Sequence, residues 1–167
     1  MFQVLQIVAV LLVAIAMALS LAHALEYPGK LRLTKQEYLA VQPIYYPGFT
    51  FGGAAEPLGI IALIMLTFTT SAATPFWLTA AALIALIAAH AVYWVMTHPV
   101  NNFWLRDFEL KGASGVFFRS DPLRRISEGG APPDWIVYRD RWERSHIIRA
   151  VLSFLSLVLL VIATVSS

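Results

Sequence analysis

Three long intervals of this 167-residue chain contain no Asp, Glu, Lys or Arg: residues 1–25, 57–105 and 150–167. The hydrocarbon core of a bilayer is about 30 Å thick, and a helix needs roughly 20 apolar residues to cross it. The first and last intervals are each long enough for one crossing, and the middle interval for two. Since 59% of the residues are hydrophobic and only 13% are charged, the chain is too apolar for an ordinary soluble domain. The pattern predicts an integral membrane protein.

We expect an all-α fold, a four-helix transmembrane bundle that forms one domain over residues 1–167 with two long loops on one membrane face. The prolines and glycines of the first loop predict an irregular hairpin-like piece or re-entrant flap. In the second loop, Asp134 is expected to cap a helix that continues into the last span. The predicted spans are residues 2–25, 57–71, 76–98 and 146–165, and the polar loops are residues 26–56 and 99–145.

The distribution of positive charge predicts the orientation. All 12 Lys and Arg lie in residues 26–56 or 98–149. The positive-inside rule therefore places both loops in the cytoplasm and both termini outside, as in a bacterial inner membrane. The absence of cysteine excludes disulfides and thiolate metal sites. A net charge of +2 does not indicate nucleic acid, so the expected partners are lipid, a hydrophobic small molecule, and a protein partner or a second copy of the chain.

A polar stripe marks the end of the third span. Between His90 and Asn102 the polar and aromatic side chains recur at spacings of three and four, which places them on one side of a helix. A histidine inside a membrane is costly unless it faces a protein interior, a partner or water. Pro99 is expected to end the helix. The stripe comprises His90, Tyr93, Trp94, Thr97, His98 and Asn101.

Counting the crossings brings three histidines to one end of the bundle. The first span ends at His23, the third ends at His98 and the fourth begins at His146, all on the side of the two long loops. We therefore predict a site at this mouth. Its other members would be Glu26, Asn101, Asn102, Trp142, Glu143 and Arg149.

Two cofactor chemistries are open for such a mouth. Glu143 and His146 form a Glu-x-x-His pair, which puts a carboxylate and an imidazole on one helical face, as in di-iron bundles. A single metal ion is easier to assemble, and its candidate ligands are His23, His98, Glu143 and His146. A haem would instead need two facing histidines, such as His90 or His98 opposite His146. The cofactor is thus none, a single metal ion or a haem.

The third chemistry needs no cofactor. An imidazole, whose ordinary pKa is about 6.5, can remove a proton from a phenolic or enolic substrate near neutrality. The resulting anion would reduce dioxygen directly, and an asparagine would donate hydrogen bonds to the developing oxyanion. His98 and His146 are the candidate bases, and Asn101 is the candidate oxyanion donor.

Two short motifs carry a family resemblance. His-Pro-Val-Asn-Asn at residues 98–102 and Trp-Glu-Arg-Ser-His-Ile-Ile-Arg at residues 142–149 resemble the DUF1772, or anthrone-oxygenase-like, membrane family. The resemblance implies a small membrane-embedded monooxygenase, an oxidoreductase acting on a hydrophobic aromatic or enolic molecule. It covers the four spans better than the loops. The positions that match the family's motifs are His98, Asn101, Trp142, His146 and Arg149. In the predicted site His98, His146 and Asn101 would be catalytic. Trp142 and Arg149 would bind the substrate, together with Asn102, Tyr93 and Trp94, which are proposed from their place at the mouth and not from the resemblance.

A non-catalytic reading stands beside the enzyme. An accessory or scaffold subunit of a larger membrane complex would use the same polar stripe to join its helices, with Arg149 paired to a lipid headgroup or a glutamate. A scaffold, however, has no need of three histidines at one mouth. The distance between these histidines therefore distinguishes the two readings.

Overall fold

The computed structural model describes residues 1–104, 117 and 134–167, apart from the side chain of Asn102. Within these residues, four stretches are long and apolar enough to cross a membrane: Phe2–Lys30, Gly48–Thr69, Ala73–Asn101 and Trp135–Val165. The predicted all-α bundle of an integral membrane protein is therefore confirmed. The elements are α1 (Phe2–Lys30), α2 (Lys35–Val41), a 3-10 turn (Gln42–Tyr45), α3 (Gly48–Gly53), α4 (Ala55–Thr69), α5 (Ala73–Val92), a π-helical turn (Tyr93–Thr97), α6 (His98–Trp104) and α7 (Trp135–Val165).

The four long helices form a closed ring. Helix α4 packs against α1 and α5, and α7 packs against the same two helices from the other side. Small side chains on the inner faces let the backbones approach closely, which is how helices associate in a bilayer. The large apolar side chains on the outer faces are exposed, as a lipid-facing surface requires. The central core consists of Ala9, Val13, Ala16, Ala62, Leu63, Leu66, Ala82, Leu86 and Leu160.

Helices α1 and α7 extend well beyond the predicted spans on the loop side. Helix α1 continues to Lys30 with Pro28 inside its last turn, where the proline leaves the Ala24 carbonyl without its usual N–H donor four residues later. Helix α7 begins at Trp135, and the Asp134 side chain caps it by accepting a hydrogen bond from the backbone N–H of Ile136 at 3.1 Å. The predicted cap is confirmed. The remainder of the predicted loop 99–145, residues 105–133, lies outside the described residues except for Phe117.

Pro99 does not end the third long helix, and this prediction was wrong. The helix widens into one π-helical turn, in which the N–H of His98 bonds to the carbonyl of Tyr93 instead of Trp94. Proline has no N–H to offer Val95, four residues earlier, and its ring would crowd that carbonyl in a regular helix. The freed Val95 carbonyl accepts a hydrogen bond from Arg141 Nη2 at 2.7 Å. A side chain of α7 thus compensates for the proline, and α6 continues to Trp104.

The segment predicted as the polar loop 26–56 is mostly helical. Between the end of α1 and the start of α3, however, the helices are only one or two turns long. A capping box starts α2: the Glu37 N–H donates to Thr34 Oγ1 and the Thr34 N–H donates to Glu37 Oε2. The Thr34 N–H and the Thr34 hydroxyl both donate to the Glu37 carboxylate and hold its pKa below the ordinary value. Pro43 lies in the first turn of the 3-10 helix, where its missing N–H costs nothing. The short helices carry aromatic side chains across the loop end of the bundle.

Candidate functional site

A cavity of about 510 Å³ lies at the loop end of the bundle. Its wall is formed by α1, α3, the start of α4, the α5–α6 junction and α7, and its surface is mainly apolar and aromatic. This size and composition are typical of sites for small organic molecules. The polar side chains in the wall include His23, Glu56, His90, Asn101, His146 and Arg149, and the aromatic ones are Tyr45, Tyr46, Phe49, Phe51, Tyr93, Trp94, Phe117 and Trp142.

His23 and His146 lie side by side in the cavity wall. Their ring centroids are 4.1 Å apart, and each residue is 4% exposed. Among the described residues, neither ring nitrogen of His146 has a hydrogen-bond partner, and neither has Nδ1 of His23. Buried polar atoms are almost always hydrogen-bonded to protein or water. Unpartnered imidazole nitrogens at a cavity therefore indicate that a ligand or water completes them.

Trp142 and Asn101 join α7 to α6 beside this histidine pair. The Trp142 Nε1–H donates to Asn101 Oδ1 at 2.9 Å. Since an indole N–H can only donate, this bond fixes the orientation of the Asn101 amide and directs its NH2 group away from the indole. The Trp142 ring also packs edge-on against His146, with a centroid distance of 4.3 Å. Trp142 and Asn101 thus hold each other in place at the cavity wall.

A second network crosses the cavity wall from α5 to α4 and α7. Arg149 Nη2 donates to Glu56 Oε2 at 2.6 Å, and the other carboxylate oxygen lies 2.8 Å from His90 Nδ1. The Trp94 Nε1–H donates to His90 Nε2 at 2.9 Å. Because Nε2 accepts, the proton of a neutral His90 is on Nδ1 and points at Glu56. Both nitrogens of His90 are therefore occupied, and His90 is not available as a base.

A buried ion cluster lies beyond the aromatic wall, on the loop side. Lys30 is only 5% exposed; its Nζ lies 2.8 Å from Glu26 Oε2 and 3.5 Å from Glu143 Oε1. Tyr38 donates to Glu143 at 2.8 Å and Tyr45 donates to Glu26 at 2.6 Å. Burial, together with the nearby carboxylates, raises the pKa of both phenols well above the ordinary value. The charges of Lys30, Glu26 and Glu143 compensate one another, and of the cluster only Tyr45 lines the cavity.

The structure brings together most of the residues predicted from the sequence. Asn101, Trp142, His146, Arg149, Tyr93, Trp94 and His23 all line the one cavity. The side chain of Asn102 lies outside the described residues. Three other predicted members, Glu26, His98 and Glu143, are not among the lining residues.

His98 lies behind the wall. It is 1% exposed, its Nδ1 is 3.2 Å from the Tyr93 hydroxyl, and its ring packs against Trp94 and Phe117. The π-helical turn is the reason, since it shifts the residues that follow it relative to the cavity-lining face of α5. Of the two predicted bases, the cavity contains only His146.

The predicted metal centre is not assembled in the described part of the chain, where no group of three or more His, Asp or Glu side chains is placed to hold an ion. Of its four proposed ligands, Glu143 is bound to Tyr38 and Lys30, and His98 lies against Tyr93. Only His23 and His146 meet. The histidine pairs predicted to bind a haem are not available either. Both nitrogens of His90 are hydrogen-bonded, and His98 does not line the cavity with His146.

Glu56 is the main site residue that the sequence reasoning did not identify. It was assigned to the end of a polar loop, yet it is 3% exposed and connects α4 to both α5 and α7. A signal was available: Glu56 is an isolated acid directly before a long charge-free interval, and an acid at a membrane boundary needs a partner. The partners are 34 and 93 residues away, which spacing alone does not reveal.

Comparison of the chain with protein-family models, curated proteins and solved structures gives no match. The resemblance to the anthrone-oxygenase-like family remains an expectation carried by the two sequence motifs. The geometry of the cavity is the basis on which a function is assigned.

Proposed function

We propose that this protein is a small membrane-embedded, oxygenase-like oxidoreductase that oxidises a hydrophobic phenol or enol in the cavity. The observation that carries the proposal is the state of His146: both of its ring nitrogens are buried at the wall of an apolar cavity and lack a partner in the described chain. A base must have a free nitrogen within reach of the proton that it removes. His146 lines the cavity and its nitrogens have no partner in the described chain, whereas both nitrogens of His90 are occupied.

The first step is removal of a proton. A substrate in which a CH2 group is flanked by a carbonyl and aromatic rings is in equilibrium with its enol, and both forms lose a proton to give the same resonance-stabilised anion. His146 takes that proton as the general base. The largely apolar and aromatic wall lowers the local dielectric constant, and this strengthens electrostatic interactions within the cavity.

The oxidation then balances with dioxygen as the only oxidant. The anion transfers electrons to dioxygen and forms a carbon–oxygen bond, which gives a peroxide that takes a proton. Loss of the remaining C–H proton breaks the O–O bond. The CH2 group becomes a carbonyl, so the substrate gives up four electrons. One oxygen atom enters the product and the other leaves as water.

The neighbouring polar groups are suited to the anion. The amide NH2 of Asn101, oriented by Trp142, can donate to the substrate oxygen on which charge develops. Arg149 supplies positive charge beside the anion, and its ion pair with Glu56 compensates that charge before the anion forms. Tyr93 and Trp94 provide apolar walls for the aromatic body. We further propose an inner-membrane location with the loop end in the cytoplasm, based on the distribution of Lys and Arg.

The accessory-subunit alternative explains less of this arrangement. A scaffold would use its buried polar side chains to join helices, as Ser156 does when it donates to the Ala82 carbonyl at 2.8 Å. The nitrogens of His146 join nothing in the described chain. Burying these nitrogens without a hydrogen bond is unfavourable and contributes nothing to helix packing. At a cavity large enough for a ligand, such a residue favours a role in binding and catalysis.

Oxygen consumption by the purified protein in nanodiscs tests the proposal, with anthrone as the substrate. We expect one dioxygen consumed per molecule, an anthraquinone product, and a rate at least about 100-fold lower in His146→Ala. Added imidazole should restore part of the lost rate. His98→Gln is the matched control, because His98 is equally buried but does not line the cavity.

Equal rates in wild type and His146→Ala would overturn the assignment of the base. Metal analysis and an absorption spectrum of the same preparation test the cofactor-free mechanism. A stoichiometric metal or a Soret band that disappears together with the activity would replace that mechanism with a cofactor-dependent one.

A further inference from the structure

The exposed part of the cavity wall is concentrated on one side. Of the described residues that line the cavity, five are exposed; four of these lie between residues 51 and 57, and the fifth is Phe117. Phe51 is the most prominent, with 73% of its surface exposed although it also lines the cavity. The wall is thus thinnest at α3 and the start of α4. The four residues are Phe51, Gly53, Ala54 and Pro57.

This side belongs to the membrane-spanning surface. Helices α3 and α4 together form the apolar stretch Gly48–Thr69, which is long enough to cross a membrane. The next helix around the ring is α1, and its Leu19 lines the same cavity. A Cβ atom added to Gly52 would meet Leu19 Cδ1 at 2.8 Å, so α3 and α1 are in close contact here. The exposed part of the wall therefore lies on the membrane-spanning surface beside the close Gly52–Leu19 contact, and this is where the proposed opening lies.

On the side of Lys30, two aromatic rings close the cavity. Lys30 Nζ lies 4.9 Å from the centroid of the Tyr45 ring and 4.8 Å from that of Trp142, while both rings line the cavity. The two rings thus separate the cavity from the ion cluster. Glu26 and Glu143 hold the lysine in that position from either side. A molecule arriving from water past Lys30 would have to displace these rings and break a charge-compensated cluster.

We propose that the cavity takes its ligand sideways from the bilayer, between α1 and the α3–α4 segment, and that the ligand is a lipid-dissolved phenol or enol with an uncharged apolar tail. The tail would lie in the opening at Phe51 and Ala54, and the hydroxyl would reach His146. The chemistry of the hydroxyl rests on the proposed function. The route and the tail rest on the opening alone.

Size and charge support this class of ligand. A cavity of about 150 Å³ accommodates benzene, so 510 Å³ holds considerably more than one ring. The carboxylate and guanidinium in the wall belong to Glu56 and Arg149, which neutralise each other at 2.6 Å. No unpaired charge among the described lining residues awaits a charged headgroup. The site therefore favours a neutral, extended and apolar molecule.

A reversible disulfide between α1 and α3, the staple, tests the route of entry. The chain has no cysteine, so the double variant Leu19→Cys/Gly52→Cys carries the only two thiols. A Cβ at position 52 would lie 3.7 Å from Leu19 Cγ, the atom that a cysteine sulfur replaces. Oxidation should join α1 to α3. The probe is 4-decyl-1-naphthol, and energy transfer from tryptophan reports its binding to the protein in nanodiscs. We expect its association rate to fall at least tenfold on oxidation and to recover after reduction.

A plug at the opening provides a second test that needs no disulfide. Ala54→Trp fills the exposed wall, and Leu58→Trp is its control, one turn further along α4, 51% exposed and not lining the cavity. We expect slow association in the first variant only. Unchanged association in both the oxidised staple and Ala54→Trp would overturn lateral entry.

A series of ligands tests the tail. For 1-naphthol and its 4-butyl and 4-decyl derivatives, the aqueous Kd should fall roughly fourfold for each added methylene, since each is transferred from water to an apolar environment. An aqueous Kd that does not depend on tail length would overturn the ligand class. Oxygen uptake separates the two proposals: tail-dependent binding without oxygen uptake refutes the oxidation alone, and uptake of anthrone without tail-dependent binding refutes the lateral ligand alone.

Discussion

Arg149 and Glu56, 93 residues apart in the chain, form an ion pair of 2.6 Å within the cavity wall. Their bond fastens α7 to α4, two helices that lie opposite each other in the ring. Glu56 also accepts from His90 on α5. One carboxylate thus joins three of the four long helices at the level of the proposed site. Its removal should lower the stability of the protein and alter the cavity wall.

Replacing Glu56 with Leu should lower the free energy of unfolding by about 3 kcal/mol, since loss of one partner leaves the Arg149 charge buried and uncompensated. Chemical denaturation in detergent micelles measures the change. The double variant Glu56→Leu/Arg149→Met should recover more than half of the loss, because it removes both charges. A double variant no more stable than Glu56→Leu would show that the pairing is not what stabilises this wall.

Arg141 should be energetically coupled to Pro99. Arg141→Met removes the donor to the Val95 carbonyl and should cost about 1 kcal/mol. In a Pro99→Ala background the cost should nearly vanish, since the alanine introduced there has an N–H that can reach the same carbonyl. A double-mutant cycle on unfolding free energies measures the coupling. Additive effects of the two substitutions would contradict this account of the π-helical turn.

The features predicted correctly from the sequence are those that depend on local pattern. The charge-free intervals predict the four spans, because a charged side chain in lipid is unfavourable at any position of a spanning helix, whatever its distant partners. Counting crossings then sufficed to bring His23 and His146 to the same end, where their rings lie 4.1 Å apart. Asp134 was recognised as a cap for the same reason: its partner, Ile136, is two residues away.

The features that were missed depend on distant partners. Pro99 stays within a helix because Arg141, 46 residues from Val95, donates to the freed carbonyl. Glu56 becomes a site residue because Arg149 and His90 arrive from other helices. The π-helical turn in turn removes His98 from the cavity wall. A single sequence contains no local signal for any of these long-range pairings.

His98 should behave as a structural residue. His98→Phe keeps the ring volume and removes the nitrogen that contacts the Tyr93 hydroxyl, so we expect a loss of about 1 kcal/mol in stability. The rate of oxygen uptake should stay within about fivefold of wild type, whereas His146→Phe should lower it at least about 100-fold. A larger loss of rate in His98→Phe than in His146→Phe would return His98 to the role of base.

Alkaline pH should destabilise the loop end of the bundle through its buried tyrosines. Burial raises the pKa of Tyr38 and Tyr45 above the ordinary value of 10.0, with the adjacent Glu143 and Glu26 carboxylates adding to the effect. The folded state therefore keeps the phenolic protons at a pH where the unfolded chain releases them. The stabilising contribution is complete below pH 10 and is lost progressively as the pH rises above it.

The Tyr45→Phe variant isolates one of these protons. Its unfolding free energy should decline less steeply above about pH 10 than that of wild type, by the equivalent of one proton, while the two curves should run parallel between about pH 8 and 9. Glu26, which is 43% exposed and keeps its contact with Lys30 at 2.8 Å, tolerates the loss of the phenol. Denaturant titrations over this pH range measure both slopes. Equal slopes in the two proteins above pH 10 would mean that Tyr45 ionises in the folded state as readily as in the unfolded chain, so that the aromatic layer above Lys30 is open to water.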